Sequence, residues 1–434
     1  MIPVLNLIRL FFLAIVLTPL ALINREKFFY YYFNFAGPSF IKLGQMLATR
    51  PDLIGKELAI ILSKFQDKVK PFSHKKARRI LQQELAGNLE DFFKEFSKQP
   101  IASASIAQVH KAKTIDNKLV AVKLLRPNIS KKIYRDISTL KLITKVSRIF
   151  SNNIYKFLSD ILQLLQENAK SELDLTIEAT NCSQIKDNLK DLSGFYVPNI
   201  YWTLTTKKML VTQWLEGIPF SDKKTLMNSN FDKNIIAKNL VLSYFTQVYK
   251  YGFFHGDMHP GNLFLLKNGD IGIVDFGIVG IIDEKTRIAI AQIVIGFINK
   301  DYEKIARLHI QSGLVPKNTN LKKLALNCRK IGETVVGSKV KDIPLANLLQ
   351  NLINMTQDFK MSTKPELLLL QKTILLIEGI GSTLNPEINI WDYAKPWMNE
   401  WSKTHISFDA KIVEIANNFI NLARDYYQTK VVNN

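Results

Sequence analysis

The sequence predicts an α+β fold of two lobes preceded by a helical extension. Three observations carry this. Apolar and polar residues alternate through "SIAQVHKAK" and "LVAVKLLR" on either side of the turn "TIDNK", so a β-hairpin lies between Pro100 and Pro127. Helical spacing dominates from about Phe28 to Phe96, from Ile129 to Asn188, and beyond Leu226. A second hairpin, "NLFLLKNGDIGIVDFG", Asn262 to Gly277, interrupts the last helical part, with Asn268–Gly269 at its turn. A chain of 434 residues with 47% apolar content has room for one large or two to three ordinary domains and their core.

The first element, residues 1–36, is strongly apolar. Its most apolar part, Leu10 to Ile23, is 14 residues long, short of the about 20 that cross a bilayer. Arg9, Pro19 and the aromatic run from Phe28 to Phe33 point to an interfacial segment. A core helix is the alternative; a signal peptide is disfavoured because no small-residue cleavage site follows. No other stretch reads as a clear transmembrane helix. Residues 37–98 form the helical extension. In "GPSFIKLGQMLATRPDLI" a helix starts near Pro38 and stops before Pro51. Phe40, Leu43 and Leu47 make its apolar stripe, and Lys42 and Gln45, three apart, share a face. By itself such a polar pair is a solvated one.

Residues 99–216 form a β-rich lobe with one long helix. Lys123 ends "VAVK" on a strand between apolar neighbours, where a lysine is a fixed positive charge within reach of a polyphosphate. Short strands follow from Val197 to Leu215, and "WLEGIP" marks a change of character at Gly217. Residues 217–434 form the helical lobe. Within it lies "GFFHGDMHPGNLFL", Gly252 to Leu265, which holds His255, Asp257, His259 and Asn262. Two chemistries compete here. His-x-Asp-x-His offers three ligands to zinc or iron. Asp257 and Asn262 also have the D-x-x-x-x-N spacing of a phosphoryl-transfer loop, with the histidines bonding backbone to hold a tight turn. The "DFG" of Asp275 to Gly277 follows, and its aspartate suits Mg²⁺ bridging nucleotide phosphates. A strand lysine, then D-x-x-x-x-N, then DFG, in that order, favours phosphoryl transfer. The helix "ENAKSELDLTIEATN" supplies a carboxylate for the lysine. Asp174 and Glu178 are i,i+4 and share a face, and Glu178 is the chosen partner of Lys123. No G-x-G-x-x-G precedes the lysine; "ASASIAQV" stands there, so an ordinary protein kinase is disfavoured.

The formal charge of +20 favours polyanionic surroundings: nucleotide, nucleic acid or an anionic membrane surface. No zinc-finger, RNA-recognition or basic-zipper pattern appears, so no nucleic acid is expected as a partner. Two cysteines, Cys182 and Cys328, far apart, exclude a disulfide framework and fit a cytosol-facing compartment.

These residues resemble the UbiB (ABC1/ADCK) family of atypical kinases. "KLGQ" looks like the family's KxGQ motif, "PIASASIAQVH" like its alanine-rich loop, and "ELDLTIEATN" like its ExD-bearing helix. "FFHGDMHPGN" with "VDFGIVG" resembles its catalytic and metal-binding loops, and "LLLLQKTILLIEGIGSTLNP" resembles the bacterial branch. The resemblance implies a protein-kinase-like fold, ATP and Mg²⁺ as cofactors, and a role in ubiquinone biosynthesis at the cytoplasmic face of the bacterial inner membrane. By position, Ile101, Ala102, Ser103, Ala104, Ser105, Ile106, Ala107, Gln108 and Val109 would cover the nucleotide. Lys123 would contact its phosphates and Glu178 would hold Lys123. Asp257 would be catalytic, with Asn262 and Asp275 on the metal. Lys42 and Gln45 would reach the site as regulatory residues, with Glu172 or Asp174 partnering Lys42. Quinone-pathway enzymes or prenylated intermediates would be the partners. The family's extension keeps protein substrates out of the cleft, so ATP hydrolysis or a lipid-like acceptor stands beside protein phosphorylation. A non-catalytic nucleotide-binding scaffold is the alternative. Three departures stand out. Gln213 replaces a usual glutamate at the hinge and is expected to alter contacts on the adenine or ribose side. Gly256 replaces a usual alanine and is expected to be neutral. The C-terminal membrane hairpin of bacterial members does not follow "YYQTKVVNN", which leaves anchoring to the N-terminal apolar stretch and the positive charge.

Overall fold

The computed structural model describes residues 2–48, 54–63, 70–336, 359, 365–387 and 390–405. Four helices come first: α1 Ile2–Ile23, α2 Arg25–Ala36, α3 Pro38–Ala48 and α4 Lys56–Ser63. Asn24 separates the first two by capping α2, its side chain accepting from Lys27 N–H at 2.9 Å. Arg9 reaches across from α1 to the end of α2 and donates to the Phe35 and Ala36 carbonyls at 2.6 and 2.9 Å. It therefore neutralises a helix C-terminus. The stripe of Phe40, Leu43 and Leu47 is buried together with Leu10 and Phe33, against Ile133, Leu165 and Ala179 of the helices that follow. Asn6 adds a buried polar tie, donating to Asp136 at 3.2 Å and Thr139 at 3.0 Å.

The first lobe is an antiparallel sheet backed by helix α5, His74–Leu85. Its strands are β1 Phe93–Phe96, β2 Ala102–Ser103, β3 Ala107–Thr114, β4 Leu119–Leu125 and, later in the chain, β6 Met209–Gln213. The order is β1-β3-β4-β6, with β2 paired to the start of β3. Strand alternation sends Val120, Val122 and Leu124 of β4 into a core with Ala77 and Leu81 of α5, which turns Ala121 and Lys123 to the other face. Two expectations are corrected here. Phe93–Phe96, read as part of the helical extension, is the edge strand of this sheet; four residues are too few for alternation to declare itself. The one long helix is three: α6 Ile129–Phe150, α7 Asn152–Glu172 and α8 Leu175–Leu189. Ser151 and Asp174 break it, each extended and each accepting a backbone N–H of the next helix.

The second lobe carries β5 Phe195–Tyr196, β7 Gly217–Pro219, β9 Leu263–Leu266 and β10 Ile271–Ile273 in the order β5-β10-β9-β7. The hairpin β9–β10 turns at Asn268–Gly269 as read, with Gly269 at φ 89°. A further pair, β8 Phe253–His255 with β11 Val279–Ile281, was not legible in three-residue segments. The helices are α9 Lys223–Met227, α10 Lys233–Phe245, α11 Glu284–Ile298, α12 Tyr302–Gln311, α13 Leu321–Val336, α14 Pro365–Leu384 and α15 Ile390–His405. Among the described residues α14 alone is long and apolar enough to cross a membrane. Its Leu370, Ile374, Ile377, Ile380 and Leu384 are buried in the lobe's core, however, and buried Tyr244 donates its hydroxyl to the Leu370 carbonyl at 2.9 Å. Cys182 and Cys328 are both buried, and neither forms a disulfide.

Candidate active site

Lys123 projects from β4 into a cavity of about 990 Å³ between the lobes. Its Nζ lies 2.8 Å from both Glu178 carboxylate oxygens and 3.0 Å from Asp275 Oδ1. Glu178 arrives there because Asp174 starts α8 one turn earlier. Burial opposes the Lys123 charge, but the Asp275 and Glu178 carboxylates outweigh it and hold the ammonium above the usual lysine range. Burial pushes the Glu178 carboxyl up to about 7, with Lys123 opposing and Asp275 adding to the rise. One cation thus bridges two acids drawn from different lobes.

The loop after β8 is built around a buried imidazole. His255 Nδ1 accepts the Asp257 N–H at 3.1 Å, and His255 Nε2 donates to the Asp275 carbonyl at 2.8 Å. Burial lowers its pKa, which keeps the ring neutral as both bonds require. His259 Nδ1 accepts the Gly261 N–H at 2.9 Å, which tightens the turn. Asn262 donates its amide N–H to the Asp257 carbonyl at 3.1 Å, so its Oδ1 remains as an oxygen donor. Asp275 sits at φ +64°, and Asn181 of α8 donates to the next carbonyl, Phe276 O, at 3.0 Å. The imidazole-metal alternative fails on this geometry. Both His255 nitrogens are spent on backbone, and no group of three His, Cys, Asp or Glu converges among the described residues. Asn262 and Asp275 instead line the cavity with the hard oxygen ligands that suit Mg²⁺.

Of the nine residues expected over the nucleotide, Ile101, Ala102, Ala104, Ile106, Ala107 and Val109 line the cavity. Ser103, Ser105 and Gln108 do not. Ser103 Oγ accepts from Arg126 Nη2 at 2.8 Å, Ser105 is fully buried, and the Gln108 amide bonds Phe72 and His110 on the far side of the strand. Alternation separates Ala102 from Ser103 on β2 and Gln108 from Ala107 and Val109 on β3, while Ser105 is buried in the turn between the strands. Glu172 lines the cavity. Asp174 does not share the helical face of Glu178, because its carboxylate is the N-cap of α8 and lies 3.8 Å from Lys207. Lys42 and Gln45 are carried by α3, but their side chains lie outside the described residues. Ala48 of α3 and Leu62 of α4 bring the extension to the cavity wall. Gln213 lines the cavity, and its Oε1 accepts from Tyr196 Oη at 2.8 Å and Asn199 Nδ2 at 3.1 Å.

One residue was missed. Lys372 of α14 lies 2.7 Å from Asp257 Oδ1. Its signal was present: it is the single charge in the apolar run "LLLLQKTILLI". Gly256 also gains a purpose. A Cβ there would stand 2.7 Å from Leu369 and 2.9 Å from Ile278, so glycine lets α14 close on the loop.

Comparison with known proteins gives a consistent picture. The sequence profile of the ABC1 atypical kinase-like domain matches residues 64–309, and that of the UbiB helical domain matches residues 328–389. "Probable protein kinase UbiB" of Histophilus somni is 38% identical over 379 residues, covering 85% of this chain and 70% of its own length. The protein of the same name from Pseudomonas putida is 37% identical over 376 residues, covering 86% and 70%. Among solved structures, Rv3197 of Mycobacterium tuberculosis in complex with erythromycin aligns with a TM-score of 0.55 at 22% identity, over 91% of this chain and 98% of its own. At that identity the likeness concerns the fold.

Proposed function

Because the chain belongs to the UbiB family of ABC1 atypical kinase-like proteins, we propose that it is an ATP-dependent phosphotransferase or ATPase supporting ubiquinone biosynthesis. One observation carries the reading: Lys123, Glu178, the loop pair Asp257 and Asn262, and Asp275, from four segments, line a single cavity. Lys123, held by Glu178, places a fixed positive charge where nucleotide phosphates would lie. Asn262 and Asp275 would hold Mg²⁺, which when bound neutralises charge on the transferred group. Asp257 orients an acceptor hydroxyl and takes its proton as the acceptor oxygen bonds to the γ-phosphorus and the β–γ bridging oxygen leaves on ADP; with water as acceptor the same groups give hydrolysis. The apolar walls contributed by Ala48, Leu62, Leu368, Leu369 and Leu375 favour a small amphipathic acceptor, such as a prenylated intermediate, over a protein chain. In cells, Lys123→Ala and Asp257→Asn should each lower ubiquinone in a quinone profile; a normal level in both would remove the pathway role.

The same reading places the protein on the cytoplasmic face of the bacterial inner membrane. Its support is the exposed apolar side of α1, with Phe11 and Phe12 each 67% exposed, together with a net charge of +20. The protein is expected to float with vesicles containing an anionic lipid, and Phe11→Ser with Phe12→Ser should release it. Unchanged flotation of that double variant would refute the α1 docking face.

A further inference from the structure

The proposed reading uses the UbiB helical domain only as an apolar wall, yet α14 from that domain also brings a charge to the cavity. Pro365, Leu368, Leu369, Lys372 and Leu375 line it. Their spacing is the i, i+3, i+4, i+7 stripe of one helical face, while Leu370, Ile374 and Ile377 anchor the opposite side in the core. Gln371 lines the cavity beside this stripe, and the one cation that α14 brings to the wall lies on Asp257, at 2.7 Å. The register of α14 is set independently, by the Tyr244 bond to the Leu370 carbonyl and by the close approach at Gly256.

The contact is one-sided. Lys372 takes Asp257 Oδ1, while among the described residues the other oxygen, Oδ2, has no polar contact shorter than the 3.8 Å to His259 Nε2, beyond hydrogen-bond distance. Oδ2 therefore stays available to an acceptor hydroxyl. Asp257 is held from two directions, its carbonyl by Asn262 and its carboxylate by Lys372. The loop itself brings no lysine or arginine: between Gly252 and Leu266 its basic side chains are His255 and His259 alone. The cation beside the acid must then come from elsewhere in the chain, and α14 delivers it.

We infer that Lys372 is a positioning residue for Asp257: it fixes the carboxylate through Oδ1, presents Oδ2 to the acceptor, and makes the helical domain a working part of the phosphoryl-transfer site. This rests on the proposed ATP-dependent activity.

The test is steady-state ATP turnover by the full chain with Mg²⁺ and vesicles, for wild type, Lys372→Met and Lys372→Arg, alongside thermal unfolding. Lys372→Met should lower kcat by about 10- to 100-fold while KM for ATP moves less than about threefold, because ground-state nucleotide contacts are untouched. Lys372→Arg should recover much of the loss, since its cation again reaches the carboxylate. The unfolding midpoint should hold in both, because the pair is partly solvated, with side chains 36% and 25% exposed. A kcat for Lys372→Met equal to the wild type overturns the inference, and one above it makes the contact inhibitory, which also overturns it. A fall in kcat that tracks a fall in unfolding midpoint, without recovery in Lys372→Arg, assigns a structural role and overturns it too. No turnover by the wild type removes the proposed activity itself, and this inference with it, which separates that failure from the others.

Discussion

Asp257→Asn is expected to lower ATP turnover by about 10²- to 10⁴-fold with little change in KM for ATP. The amide is nearly the same size, so the bonds that shape the loop survive: His255 still accepts the backbone N–H at 257, and Asn262 still donates to its carbonyl. What is lost is the anionic carboxylate facing the cavity, the proton acceptor of the proposed reaction. Lys372 loses its anionic partner, but with 36% of its side chain exposed it remains solvated, and the stability change should stay within about 1 kcal/mol. Folding and chemistry are therefore separable in this variant. Equal turnover in Asp257→Asn and wild type, at matched unfolding midpoints, would rule out catalysis through this carboxylate and leave the nucleotide-binding scaffold.

The second large effect concerns stability and comes from the paired groups at the lobe junction. Lys123→Met should destabilise the protein by about 3 kcal/mol in urea unfolding, because removing one partner strands buried acid. Glu178 has only 9% of its side chain exposed, and Asp275 stands beside the same ammonium. Replacing both members, Lys123→Met with Glu178→Leu, should recover most of that loss, since an apolar pair removes the desolvation penalty along with the attraction. Neither variant should bind nucleotide with wild-type affinity, because the fixed charge is gone from both. If the double variant is as unstable as the sum of the two single ones, the residues do not act as a pair. Stability regained without nucleotide binding would mean that this ion pair is kept for its chemistry and not for the fold.

Much of what lines the candidate site was legible from spacing. Lys123, Asp257, Asn262 and Asp275 sit in short local patterns whose meaning depends on neighbours within a few residues: a strand, a tight loop, a hairpin end. Glu178 was reachable through helical periodicity, although the helix boundary was not. Asp174 looked like a member of the same face and proved to be the cap that begins it. A capping aspartate and an in-helix aspartate look alike in sequence, and the choice depends on whether the preceding helix stops. The serines and glutamine of the alanine-rich loop turn away from the cavity, because a motif names a stretch, whereas local backbone geometry decides which side chains of it face inward.

Lys372 lies 115 positions from the acid it contacts. No local rule links them; the pairing exists because α14 packs its leucine face into the second lobe and a glycine at 256 lets it approach. The histidines tell the same story in reverse: close in sequence, they look like joint ligands, yet burial turns His255 onto two backbone groups. By itself the sequence determined which residues carry charge and chemistry, and in what order along the chain, because those patterns are short-range. Only the tertiary structure decided which of them meet, since that depends on which apolar faces bury each other across a hundred residues or more.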